Sequence, residues 1–63
     1  MCTLLELDGA LPIDCEYSPE GNIFTVDGMY FDDLRIAIVF AIARANGVDL
    51  GHARSACKLL ELQ

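Results

Sequence analysis

One histidine, His52, and three cysteines, Cys2, Cys15 and Cys57, are the side chains of this 63-residue sequence best suited to nucleophilic or metal chemistry. Their spacing argues against both. A catalytic thiol needs a base within hydrogen-bond reach, and a zinc site needs closely spaced ligand pairs. Cys57 and His52 stand on what reads as one helix, five positions apart, so their side chains diverge. No two cysteines have C-x-x-C spacing, and the glycines are isolated turn residues with no phosphate-cradling loop among them. Carboxylates are plentiful, yet Asp14 and Glu16 alternate as an outward, solvated strand face does. The sequence therefore predicts no enzyme, no metal, no cofactor and no small-molecule substrate.

The elements that would position these residues come from length, charge and periodicity. A chain this short forms one domain and buries only about 60% of its unfolded surface. At 54% hydrophobic residues it carries much apolar material for so small a core. A densely packed miniature domain explains this, and so does a homodimer or a partner-binding face. The net charge of −6 is uneven. Glu6, Asp8, Asp14, Glu16, Glu20, Asp27, Asp32 and Asp33 occupy residues 1–34 with no Lys or Arg among them. Arg35, Arg44, Arg54 and Lys58 all follow, against Asp49 and Glu61. The N-terminus lacks the basic region and long apolar core of a signal peptide. With unpaired cysteine spacings, that predicts a cytoplasmic protein with reduced thiols.

Residues 34–45, LRIAIVFAIARA, are the most apolar stretch. Local propensity is divided between helix and strand, but the ends decide for a helix. Asp32 suits an N-cap, Phe31 and Ile36 then form a hydrophobic staple, and Asn46-Gly47 is a stop signal. On a wheel, Leu34, Ile38, Ile42, Ala41 and Ala45 form one side, and Ile36, Val39, Phe40 and Ala43 another. Burying both sides is worth about 9–18 kcal/mol, and one side alone about half of that. A central helix over residues 32–46 is thus expected to have two neighbours: a sheet, and a second helix or subunit. Ile36, Ile38, Val39, Phe40 and Ile42, with Leu59 and Leu62 of the second helix, are the packing and dimer candidates. The apolar run is too short to span a membrane.

Before this helix, CTLLEL (2–7), PIDCEY (12–17) and NIFTV (22–26) read as strands. A two-residue turn at Asp8-Gly9 would set Cys2 opposite Cys15 but place Pro12 at a hydrogen-bonding position. A longer loop removes that conflict and separates the cysteines, so no disulfide is expected. Ser18-Pro19-Glu20-Gly21 and Asp27-Gly28 supply the next turns, after which Met29-Tyr30-Phe31 leads into the helix. Residues 49–62 form a second helix capped by Asp49, with Leu50, Ala53, Ala56, Cys57 and Leu60 facing inward. The expected fold is α+β, a three-stranded antiparallel sheet followed by two helices (βββαα). Residues 1–31 form its acidic meander.

Residues 42–60, IARANGVDLGHARSACKLL, resemble a helix-turn-helix DNA-binding motif. Ala43 falls at the small position of the first helix, Gly47 at the turn glycine and Val48 at the buried residue after it. Ala53 and Ala56 take inward positions. The resemblance implies that Gly51, His52, Arg54, Ser55 and Lys58 face DNA. It covers under a third of the chain, with Asn46 where an apolar residue is usual. Four basic residues in a chain of net charge −6 also give little non-specific grip on phosphates.

In size, charge and simplicity the chain resembles phage- or mobile-element-encoded inhibitors of host proteins, anti-CRISPR proteins among them. That likeness implies a protein partner with a basic or nucleic-acid-binding surface. Asp14, Glu16, Glu20, Asp27, Asp32 and Asp33 are the candidate partner-binding residues, since an acidic surface speeds and selects association with a basic one. A non-enzymatic, acidic protein-binding inhibitor is the expected function, and a small dimeric helix-turn-helix regulator the alternative.

Overall fold

A computed structural model describes residues 2–61 in backbone and the side chains from Leu4 to Glu61. The fold is α+β: an antiparallel four-stranded sheet followed by two helices. The strands β1 (Cys2–Leu5), β2 (Ile13–Ser18), β3 (Gly21–Val26) and β4 (Met29–Phe31) lie in chain order across the sheet. The helices are α1 (Leu34–Ala45) and α2 (Leu50–Glu61). The sheet thus has one strand more than the sequence predicts. Asp27 and Gly28 both take positive φ, 50° and 80°, the backbone of a two-residue hairpin that folds Met29–Phe31 back onto β3. No helix among the described residues is long and apolar enough to cross a membrane.

The β1–β2 connection is the longer loop, and β1 ends at Leu5 rather than residue 7. Cys2 stands opposite Glu16 and Thr3 opposite Cys15, so the two cysteines are not cross-strand partners. The loop folds onto α1, where the Leu11 N–H donates to the Ala41 carbonyl at 3.1 Å.

Residues directly opposite one another on paired strands share a face of the sheet. The register gathers Leu5, Ile13, Cys15, Phe24, Phe31, Val26 and Met29 on one face. Against it α1 lays Ile36, Ala37, Phe40 and Ala41, and every buried side chain among the described residues is apolar or a thiol. Four β-branched residues in α1 do not prevent a helix, because burial outweighs their modest propensity penalty. The buried arc crosses the two sides expected from the wheel. Ile36 and Phe40 are core residues with no surface left for a second subunit, while Leu34, Val39 and Ile42 are exposed and Ile38 half-buried.

Asp33, not Asp32, caps α1: its carboxylate accepts from the Arg35 N–H at 2.9 Å. That cap shifts the frame by one residue, so Phe31 and Ile36 do not occupy staple positions. Phe31 instead packs on Phe40, with ring centroids 5.1 Å apart. At the other end the chain leaves α1 through a Schellman motif. Gly47 N–H donates to the Arg44 carbonyl and Val48 N–H to that of Ala43, with Gly47 at φ +84°. Gly47→Ala is expected to destabilise by about 1–2 kcal/mol, read as a lower midpoint in urea, because a Cβ is strained there.

Asp49 caps α2 as its residue type predicts, its carboxylate accepting from the His52 N–H. The inward stripe is narrower than expected. Ala53 and Cys57 are buried, whereas Leu50, Ala56 and Leu60 are exposed. The reason is that α2 packs against α1 and against no strand, so one neighbour covers only part of its circumference.

Candidate functional site

Among the described residues α1 covers one side of the sheet and α2 packs on α1, leaving the other side bare. On that face the register builds a row across all four strands, Leu4, Asp14, Thr25 and Tyr30, with Glu16 beside Ile23 one step along. Three large apolar side chains stand in the open here: Leu4 is 54% exposed, Ile23 43% and Tyr30 76%. Asp14 and Glu16 lie between them, both exposed, and no Lys or Arg belongs to any strand. Apolar anchors with embedded carboxylates make a surface suited to a partner that is basic and partly apolar. An exposed tyrosine is among the commonest energetic anchors of protein interfaces.

The other acidic candidates are dispersed. Glu20 sits in the β2–β3 turn. Asp32 and Asp33 lie at the start of α1, beyond Phe31. Asp33 is already engaged by the Arg35 backbone, whose hydrogen bond holds its carboxyl below the usual carboxylate value, helped by the Arg35 guanidinium. Asp27 is at the opposite end of the sheet and pairs with Arg44, Nε to Oδ2 at 3.1 Å. Arg44 also donates to the Val48 carbonyl at 2.9 Å, so it links the β3–β4 turn to the α1–α2 turn. Of the six, Asp14 and Glu16 alone share the open face. Tyr30, Ile23 and Leu4 join them there, and sequence reasoning missed all three. The outward alternation of β2 was visible, but which residues of β1, β3 and β4 fall beside it depends on register.

The residues assigned to DNA separate into two groups. Arg54, Ser55 and Lys58 line a groove between α2 and β4 with a volume of about 440 Å3. His52 belongs to another side of the helix, where its ring Nδ1 pairs with the Asp49 carboxylate. That hydrogen bond is the main influence holding the Asp49 carboxyl below its ordinary value. Cys57 is buried and donates through sulfur to the Ile36 carbonyl at 3.7 Å, and burial pushes its thiol up. His52 and Cys57 therefore face different surroundings, as their spacing implies.

Of the packing candidates on α2, Leu59 is 65% exposed. Leu62 lies outside the described residues. With Leu34, Val39 and Ile42, Leu59 leaves the helical layer with apolar side chains in solvent. No protein-family model matches the chain, and neither a curated protein nor a solved structure is significantly similar to it.

Proposed function

We propose that this chain is a non-enzymatic protein-binding module that docks through the open face of its sheet onto a basic surface of another protein. The observation that carries this reading is the bare face itself. A four-stranded sheet covered on one side only presents Tyr30, Ile23 and Leu4 around Asp14 and Glu16. Carboxylates raise the encounter rate with a basic surface, and the apolar side chains hold the complex once formed. A basic patch of this kind commonly serves nucleic acid, so occupying it would inhibit the partner, in the manner of small phage-encoded inhibitors. A second copy of the chain is proposed to cover Leu34, Val39, Ile42 and Leu59, leaving the sheet face free in the dimer.

Affinity capture from a host lysate tests the reading, comparing the chain with an Asp14→Lys/Glu16→Lys/Tyr30→Ala variant. A partner with a basic surface is expected on the original chain. The variant is expected to bind it at least about a hundredfold more weakly, roughly 2.8 kcal/mol. Nucleic acid is expected to compete for that partner, and sedimentation to give a dimer for the chain alone. Equal retention by the variant overturns the docking face, and a monomer overturns the dimer. Duplex DNA binding that Arg54→Ala and Lys58→Ala abolish would replace the proposal with the helix-turn-helix function.

A further inference from the structure

The groove between β4 and α2 borders the open face at Tyr30, which belongs to both, and has a chemistry of its own. Met29, Phe31 and Cys57 form its apolar side, Arg54 and Lys58 stand along α2, and Glu61 closes one end. Arg35 and Arg44 are both in ion pairs, but Arg54 and Lys58 are exposed and enter none among the described residues. β4 is the last strand of the sheet, so its outer edge pairs with no strand among the described residues. In a two-residue hairpin the closing pair, Val26 and Met29, is hydrogen-bonded, and pairs then alternate. Tyr30 falls at the intervening position and turns its N–H and C=O outward, with no backbone bond beyond the sheet.

We propose that this groove takes an extended acidic segment of a partner protein, added as a fifth strand along β4. Such a strand would bond its backbone to Tyr30 and point alternate side chains toward α2. Alternate residues of a strand are about 6.7 Å apart. Arg54 and Lys58, one turn apart on a helix, are separated by about 6 Å along its axis. Carboxylates at alternate positions of the added strand therefore match the two cations in spacing. The net charge of −6 opposes this only weakly at physiological salt, where charges beyond about 8 Å are largely screened, and Glu61 is the acidic side chain at the groove itself. A neighbouring cleft at the Phe31 end is lined by Asp32, Asp33 and Arg35, and Glu61 borders both it and the groove. The carboxylates of the added segment are therefore assigned to the Arg54 and Lys58 part of the groove, away from Glu61.

Fluorescence anisotropy with a dye-labelled, end-capped (Thr-Glu)4 peptide tests the proposal, with (Thr-Gln)4 for comparison. The glutamate peptide is expected to bind at least tenfold more tightly, and Arg54→Glu/Lys58→Glu to erase that preference. Tyr30→Pro removes an N–H that the sheet does not use and is expected to weaken binding at least tenfold, while Tyr30→Val retains it. If Tyr30→Pro fails to fold by circular dichroism, (Thr-Glu)4 N-methylated at every other amide asks the same of the unaltered protein. One of its two methylation registers is expected to lose binding. No saturable binding by the folded chain, or equal affinity for both peptides, overturns the proposal. Insensitivity to Tyr30→Pro and to both methylation registers also overturns it. So does a dimer that Tyr30→Pro dissociates, which would assign the groove to a second copy.

Discussion

Replacing Phe40 with alanine is expected to remove about half or more of the protein's stability. Phe40 is fully buried where α1 meets the sheet, and its ring packs on Phe31 of the edge strand. Truncating a buried phenylalanine costs about 3–5 kcal/mol through lost transfer energy and the cavity left behind. A domain of this length has roughly 3–9 kcal/mol in total at typical stability per residue. The core has no spare large residue to fill the hole, since Ile13 and Val26 are the other large side chains fully enclosed. Far-UV circular dichroism during a urea titration checks the result. A midpoint within a few tenths molar of the parent would show that α1 is held by something other than this ring.

Replacing Ala53 with leucine is expected to separate α2 from the rest while the sheet and α1 persist. Ala53 is fully buried between the helices, and Cys57 follows one turn on. The added volume has nowhere to go, and overpacking of this kind costs about 1–3 kcal/mol, at times more. For α2 the loss is concentrated, because α1 is the one element it packs against. Hydrogen exchange is the measurement that distinguishes this from global unfolding. Amides of residues 53–61 should lose protection by a factor of about ten or more, while those of β2 and β3 change little. Uniform loss along the chain would show that α2 folds as one unit with the sheet.

What was legible in the sequence was local. Clean alternation at Ile13–Glu16, the turn residues Pro19 and Gly21, and the stop at Asn46-Gly47 each act through near neighbours and carry their physics with them. β4 was harder to read because three residues next to a helix cap have no period to detect. The Asp27-Gly28 pair was its signal, through the left-handed backbone both residues adopt. Two adjacent aspartates are equivalent as caps by type, so only geometry distinguishes Asp33 from Asp32. The grouping of Leu4, Ile23 and Tyr30 around Asp14 rests on strand register, and the groove along β4 on where α2 lands. Both are long-range facts with no local residue pattern to announce them.

The bare side of the sheet has a consequence for how such a protein can change. Leu4, Asp14, Glu16, Ile23, Thr25 and Tyr30 come from four strands, yet each points away from the packed layer. Substitutions among residues of good strand propensity at these positions leave the interior intact, so under the proposed docking function the scaffold and its specificity would be nearly uncoupled. Selection, natural or in a display library, could rewrite all six positions and pass from one target to another without crossing an unfolded sequence.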